Sequence, residues 1–156
     1  MVIPANQLAL RWVSTAISPD DKVGTYEELK LEGVEGVVFK DVDAPFTPGR
    51  PNSGGPQLKY KFVESASFAV LARNPQRSVT LGLYPAGGVT PVPAGNVTIP
   101  PNHAVPAPEE VVEVQFLYAF KESGSIYQPV YQGKRCDIPA AACTTDQLKY
   151  KPETDA

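Results

Sequence analysis

Residues 67–84, SFAVLARNPQRSVTLGLY, decide the fold. Two apolar runs, Ser67–Ala72 and Ser78–Tyr84, lie on either side of the turn-forming pair Asn74 and Pro75. Short apolar runs that are bounded by turn residues are typical of consecutive β-strands. We therefore predict that this part of the chain consists of short strands rather than long helices.

The same pattern continues toward the C-terminus. Three further strand-like runs follow, at Gly88–Ile99, Val111–Phe120 and Ser125–Tyr131, with Gly- and Pro-containing turns between them. Five strands in about 70 residues predict a small barrel or a sandwich, and the pattern alone leaves both open. A proline-rich connector, PPNHAVPAPEE at residues 100–110, separates the third and fourth runs, where a five-stranded OB barrel often has a helix or a bridging loop.

The residues before the barrel begin with an apolar run and a helix signal. Leu8–Ile17 predicts a strand. Ser18 can cap a helix, Pro19 suits the first helical position, and Gly33 is a usual terminator, so we predict a helix from Pro19 to about residue 32. Two strands should follow, at Val34–Lys40 and Gln57–Phe62, joined by a loop that is rich in Pro and Gly.

Composition limits the class of protein. The chain has 156 residues, 17 Pro, 12 Gly and a formal net charge of −3, which excludes a globally basic nucleic-acid binder but allows local basic patches. The apolar runs are strand-sized, so we expect no signal peptide, no membrane partner and a cytoplasmic protein. We interpret Cys136 and Cys143 as free thiols, with a secreted disulfide loop as the alternative.

Charged residues that suit phosphate chemistry occur in three strings. In EGVVFK, residues 35–40, Glu35 could bind a metal and Lys40 a phosphate. In QLKYKF, residues 57–62, Lys59 and Lys61 point to one side of a strand about 7 Å apart, and they repel each other unless an anion lies nearby. For each string alone, an ordinary strand with a solvated, charged face is the alternative.

The third string is YQPVYQGKRCD, residues 127–137. Here Arg135 offers a planar fork for phosphate oxygens, and Asp137 could orient a partner group. Taken alone, it predicts only a basic turn after a strand. The tyrosines of this region and Trp12 could stack on nucleic-acid bases, with core packing as the alternative.

Together the three strings resemble the later motifs of the ATP-dependent DNA ligases, a branch of the covalent nucleotidyltransferases. VEGVVFK is similar to the fourth motif, QLKYKF to the fifth and PVYQGKRCD to the sixth, and their order and spacing agree over about residues 12–151. The resemblance implies a mainly β (α+β) chain. Residues 1–62 would be the end of an ATP-grasp-like nucleotidyltransferase sheet, 63–151 a five-stranded OB-fold barrel and 152–156 a flexible tail.

The resemblance also implies cofactors, partners and roles. ATP or AMP would be bound with Mg²⁺, Glu35 would be a metal ligand, and the α-phosphate would contact Lys40, Lys59 and Lys61. Arg135 and Asp137 would help to orient the departing pyrophosphate when the OB domain closes. The implied partner is nicked duplex DNA, in replication or repair, in a bacterial or phage system and associated with the nucleoid.

Two departures from the family pattern shape the expected function. The family's first motif, Lys-x-Asp-Gly, does not occur in the 156 residues, so this chain should not become adenylated alone. The sixth motif usually ends in a basic residue, where this chain has Ile138. We therefore expect the C-terminal portion of a ligase that needs an N-terminal half, or that self-associates through an exposed sheet. The alternatives are a non-catalytic OB module that binds nucleic acid, and a β-rich structural or interaction protein.

Overall fold

One helix and a two-stranded sheet precede the barrel in the computed structural model, which describes residues 15–49 and 55–152. Helix α1 spans Pro19–Leu31. Ser18 caps it, because the Ser18 Oγ accepts a hydrogen bond from the Asp21 backbone N–H at 3.1 Å. The helix ends at Glu32 before Gly33, whose φ of +72° favours glycine. The predicted helix and its cap are confirmed.

The two-stranded sheet consists of β1 (Gly36–Lys40) and β2 (Gln57–Lys61), which pair antiparallel. Both predicted strands are present, and β1 begins two residues later than predicted. The two strands are joined through a loop of which residues 41–49, 55 and 56 are described, and these contain no helix or strand.

Seven further strands follow in the described residues, and two short 3-10 helices, Ala140–Ala142 and Thr145–Gln147, come after the last of them. The strands are β3 (Glu64–Asn74), β4 (Ser78–Leu83), β5 (Val92–Thr98), β6 (Val111–Phe116), β7 (Tyr118–Ala119), β8 (Ile126–Tyr127) and β9 (Val130–Arg135). Five of them make one antiparallel sheet in the order β5-β4-β3-β6-β9. The two outer strands, β5 and β9, approach each other, which curls the sheet into an OB-like barrel. The expected mainly β architecture is confirmed.

The barrel encloses the hydrophobic core. Phe68 on β3 meets Phe116 on β6 edge to face at 6.0 Å, and both side chains are fully buried. Valine and leucine side chains from β4, β5 and β6 complete the interior. From Val112 to Phe116, buried and half-buried residues alternate along β6, which is the pattern expected of a strand with one face in a core.

Polar contacts hold the connectors against the barrel. Arg73 donates to the carbonyl oxygens of Val105 and Pro106, both at 2.8 Å, and thereby fixes the proline-rich connector, which is a loop. The C-terminal segment runs across the barrel, where Ala119 N–H donates to Lys149 O at 2.8 Å and Lys151 N–H to Ala119 O at 2.9 Å. The last described residues are therefore anchored.

Two predicted strands are each divided in the structure. Val111–Phe120 becomes β6 and β7, because the chain changes neighbours: Phe116 pairs with Glu64 of β3, whereas Leu117 N–H donates to Tyr127 O at 3.0 Å. Ser125–Tyr131 becomes β8 and the start of β9, because Gln128 has a φ of +53° and interrupts the extended backbone.

Other predictions fall at the edges of the described residues. The predicted strand Leu8–Ile17 lies outside them except for residues 15–17, which are not in a strand. Trp12 and most of the predicted tail, residues 152–156, also lie outside. The boundary between 1–62 and 63–151 falls between β2 and β3, and as a division into domains it stays a prediction. In the part of the chain that is described, no helix combines the length and the apolar character needed to cross a bilayer.

Candidate functional site

The β1–β2 pair brings three lysines to one face of its sheet. Gly36 pairs with Lys61, Val38 with Lys59, and Lys40 with Gln57. Residues that are directly opposite in an antiparallel pair project to the same side, and alternate residues of a strand do so too. Lys40, Lys59 and Lys61 therefore project from the same face.

The spacing of these lysines suits a phosphate group. Lys59 and Lys61 are two residues apart, about 7 Å along the strand, and Lys40 is a diagonal neighbour of Lys59 at about 7–8 Å. Lys40 and Lys59 are exposed, and Lys61 is half-buried. Ammonium groups this close repel one another, and an anion that contacts them removes the repulsion and accepts charge-assisted hydrogen bonds.

Helix α1 packs against part of the opposite face of the pair. The Tyr26 ring lies 5.8 Å from the Tyr60 ring and 5.2 Å from the Phe62 ring. Tyr60 alternates with Lys59 and Lys61 and therefore projects away from them. The helix leaves the lysine face open.

Gly36 is required by the neighbouring strand. A Cβ atom at this position would lie 2.2 Å from the Tyr60 carbonyl oxygen and 2.8 Å from the Lys61 Cα. A glycine within a strand often marks a place where a ligand or another backbone approaches closely. The structure shows that the closest group is the backbone of β2, so Gly36 permits the strand pairing that positions the lysines.

Lys61 connects the lysine face to the barrel. Its Nζ lies 3.4 Å from Glu35 Oε1 and donates to Gln128 Oε1 at 2.7 Å. Gln128 lies in the link between β8 and β9. Glu35, which was predicted to bind a metal, and Lys61, which was predicted to bind a phosphate, are thus neighbours of each other.

A metal fits this site less well than a phosphate does. Among residues 15–49 and 55–152, no group of three or more His, Cys, Asp or Glu side chains could hold an ion. Glu35 provides a single carboxylate, and it lies beside an ammonium. Mg²⁺ needs near-octahedral oxygen ligation, commonly from carboxylates, waters and substrate phosphates. The described residues do not form a metal site by themselves.

Arg135 lies at the end of β9 rather than in a turn, which corrects the prediction for this string. Its guanidinium forms a bidentate pair with Asp137, with Nε at 3.0 Å from Oδ1 and Nη2 donating to Oδ2. Its Nη1 donates to Ser67 Oγ at 3.0 Å and to Glu113 Oε2 at 3.3 Å. This network joins β9 to β3 and β6.

The network shifts the ionisation of its carboxylates. The hydrogen bonds from Arg135 lower the pKa of Asp137 to about 2. At Glu113, desolvation acts to raise the pKa, but hydrogen bonds from Ser65, Ser67 and Arg135 outweigh it, so that the pKa is lowered. The same carboxylates raise the pKa of the Arg135 guanidinium. All the charged members are therefore ionised at neutral pH.

The structure brings the lysines together but leaves Arg135 and Asp137 apart from them. Gln128, which contacts Lys61, precedes β9, whereas Arg135 is the last residue of that strand. The six residues from Val130 to Arg135 span roughly 16 Å of extended chain. The contacts of Arg135 described above are all with the barrel.

The interpretation of the sequence missed several residues of this region. Gln128 gave no signal, because a glutamine before a proline is ordinary in a turn. Ser67 and Glu113 are distant from Arg135 in sequence, and only the pairing of β3, β6 and β9 brings the three together.

Three aromatic rings form a second candidate feature, at the β7–β8 pair. Tyr118 and Tyr127 stack at 5.1 Å with an interplanar angle of 20°, and the Phe120 ring lies 5.5 Å from the first and 5.7 Å from the second. Lys151 Nζ lies 5.9 Å from the centroid of the Tyr118 ring. Tyr127 is exposed, whereas Tyr118 and Phe120 are half-buried. Accessible aromatic rings beside a cation are suited to stacking on nucleic-acid bases.

Comparison with solved structures identifies similar folds. The chain is similar to a structure from a structure–function analysis of Lig E DNA ligases, described as binding DNA with a minimal scaffold, with 22% identity, a TM-score of 0.57, and coverage of 78% of this chain and 48% of that one. It also matches the ligase domain of M. tuberculosis LigD, with 20% identity, a TM-score of 0.42, and coverage of 81% of this chain and 51% of that one.

The first of these likenesses establishes a ligase-like fold, and the second is too low in TM-score to carry an argument. The chain spans about half the length of each of these structures. No protein-family model matches the chain, and comparison with curated proteins yields no match either.

Proposed function

We propose that this chain is the C-terminal portion of an ATP-dependent DNA ligase, which supplies phosphate contacts and a DNA-binding barrel for the sealing of nicked DNA. The observation that carries the proposal is the placement of Lys40, Lys59 and Lys61 on one open face, directly before an OB-like barrel. A ligase-like fold supports it.

In this proposal the lysines bind the phosphate of ATP or AMP. Phosphoryl transfer depends mainly on positioning and on charge neutralisation, and three ammonium groups on one face provide both. Mg²⁺ would neutralise phosphate charge, with Glu35 as one ligand among others that come from outside the described residues. Arg135 and Asp137 would act on pyrophosphate only after the barrel moves toward the lysine face.

The chain is not expected to start the reaction alone. No Lys-x-Asp-Gly string occurs in its 156 residues, so the lysine that would form a phosphoramidate with AMP is lacking in this sequence. Incubation with labelled ATP and Mg²⁺ should therefore give no labelled chain. An acid-labile AMP adduct on this chain would contradict the proposal.

The direct test is reconstitution of nick sealing. A separate polypeptide that carries the Lys-x-Asp-Gly segment is mixed with this chain, ATP, Mg²⁺ and a nicked duplex. We expect sealing that neither polypeptide gives alone, and a loss of about 10²-fold or more with Lys59→Gln, since a charge that stabilises the transition state is removed. Lys22→Gln, on the exposed surface of α1, is the matched control, measured with the N-terminal polypeptide at saturation so that a weakened interface with α1 does not lower the sealing rate. Duplex binding without sealing would refute the ligase role.

A second candidate function is a non-catalytic module that binds nucleic acid. It is favoured by the Tyr118, Phe120 and Tyr127 rings beside Lys151, and by the engagement of Arg135 within the barrel. Such a module would bind single strands with a strong dependence on salt and would not respond to Lys59→Gln. Sealing of nicks in the mixture of the two polypeptides supports the ligase role, whereas nucleic-acid binding without sealing supports the non-catalytic module.

The surface of α1 and the β1–β2 pair supports the expectation of a covering partner. Leu58 is 56% exposed, Tyr60 52% and Phe39 42%, and α1 contains no buried residue. A two-stranded sheet is marginally stable on its own and is stabilised by further packing. We propose that an N-terminal ligase half covers this surface, in the cytoplasm and on the nucleoid of a bacterial or phage-infected cell, and that the isolated chain self-associates through it. If the isolated chain sediments as a monomer at high concentration, the proposed self-association is wrong.

A further inference from the structure

One side chain of the barrel forms a hydrogen bond with a lysine of the proposed phosphate site. Gln128 Oε1 accepts a hydrogen bond of 2.7 Å from Lys61 Nζ, although the two residues are 67 positions apart. Lys61 also lies 3.4 Å from Glu35. The side chain of Lys61 is 37% exposed, so an anion in solution can still reach it.

Gln128 makes this contact from an unfavourable backbone conformation. Its φ is +53°, which is uncommon for a residue with a side chain, and it precedes Pro129, which restricts it further. The preceding residue is fixed, because Tyr127 stacks on Tyr118 and its carbonyl oxygen accepts from Leu117 N–H at 3.0 Å. Strained residues of this kind persist where the surrounding structure holds them, and they cluster at functional sites.

The chemistry of the contact resembles that of a phosphate contact. An amide oxygen is a neutral acceptor, whereas a phosphate oxygen is charged and forms shorter and stronger bonds to an ammonium. Gln128 approaches Lys61 from the barrel, while Lys59 lies two residues away along β2, on the side toward Lys40. A phosphate that bridges Lys59 and Lys61 therefore competes with Gln128 and Glu35 for the three N–H donors of the Lys61 ammonium.

We propose that Gln128 is a positioning residue whose amide oxygen competes with a phosphate oxygen for the Lys61 ammonium, so that phosphate binding weakens the contact between β2 and the barrel. The proposal rests on the proposed function, since it assumes that Lys59 and Lys61 bind a phosphate. Its consequence is that arrival of the nucleotide phosphate loosens the barrel from β2.

The test uses inorganic pyrophosphate as the probe and the isotope-labelled chain. Side-chain NMR signals of Lys59 and Lys61 report anion binding, and the amide signal of Tyr127 reports the barrel side of the contact. Gln128→Ala should bind pyrophosphate about fivefold more tightly, because the competing acceptor is removed, and Gln128→Glu should bind it more weakly, because a carboxylate holds Lys61 more firmly. Gln132→Ala, an exposed glutamine on β9, should leave the affinity unchanged.

The outcomes separate this proposal from the function on which it rests. The proposal is supported if Gln128→Ala and Gln128→Glu change the pyrophosphate affinity in opposite directions. In the unmodified chain, the Tyr127 signal should also shift in step with anion saturation. If the unmodified chain, Gln128→Ala and Gln128→Glu all bind pyrophosphate with equal affinity, the proposed competition is wrong, whereas the phosphate site itself remains supported. Absence of pyrophosphate binding at Lys59 and Lys61 in every variant overturns both.

Discussion

Gly36 and Tyr60 lie so close across the β1–β2 pair that a Cβ atom on Gly36 would be 2.2 Å from the Tyr60 carbonyl oxygen. The register that results places Lys61 opposite Gly36 and Lys59 opposite Val38. The lysine face therefore depends on a residue that has no side chain.

Gly36→Ala should separate the two strands. The added methyl group meets backbone atoms, which cannot move without loss of the pairing, so we expect the β1 and β2 amide signals to lose their hydrogen-exchange protection while those of β3–β6 keep theirs. Gly24→Ala in α1 is the control, because nothing lies within 4 Å of its Cβ position and the change favours the helix by about 0.5–1 kcal/mol. Retained protection of β1 and β2 in Gly36→Ala would contradict the assigned register.

Gln147→Ala should destabilise the barrel by about 1–3 kcal/mol. The Gln147 side chain accepts from Ser67 N–H at 3.0 Å and donates to Ser67 O at 3.3 Å, and Ser67 is buried. Removal of the amide leaves both backbone groups without their partner. Denaturant unfolding gives the change, and Gln132→Ala, whose side chain is exposed, should change stability by less than about 0.5 kcal/mol. Equal stability of the two variants would exclude this role of Gln147.

Barrel stability should fall in acid through the Arg135 network. The pKa of Asp137 is lowered to about 2, and that of Glu113 is also lowered, so between the unfolded and folded values the unfolded chain binds more protons. The contribution is complete above about pH 5 and is lost as the pH falls toward 2. In denaturant titrations at several pH values, Asp137→Asn should weaken this dependence, whereas Asp146→Asn, an exposed control, should not. The same acid dependence in both variants would show that Asp137 has no such role.

Cys143 should resist alkylation in the folded protein while Cys136 reacts. Cys143 is fully buried, and burial raises the pKa of its thiol to about 11, whereas Cys136 is exposed. Iodoacetamide at pH 8 should add one label per native chain and two in guanidinium chloride, as mass spectrometry can count. Rapid labelling of both thiols in the native protein would show that the barrel opens at Cys143.

Local signals in the sequence predicted most elements of the fold. Ser18, Pro19 and Gly33 predicted the ends of α1, and alternation predicted that Lys59 and Lys61 share a face. The alternation could not place Lys40 beside them, because that depends on the register between two strands joined by a long loop.

Long-range contacts account for what the sequence could not predict. The break at Leu117 arises where the chain changes its neighbouring strand. The break at Gln128 arises from a left-handed backbone conformation, which the sequence does not indicate because the residue is not a glycine. The partners of Arg135 come from other strands, so the string around it could not reveal that Ser67 and Glu113 hold its guanidinium.

Titration of the isotope-labelled chain with AMP tests the central claim most directly, since the claim is that three lysines of the β1–β2 pair contact one phosphate. We predict that the side-chain signals of Lys40, Lys59 and Lys61 shift together with one dissociation constant, and that the Lys22 signal does not move. Independent binding at scattered lysines, or no shift of these three, would contradict it.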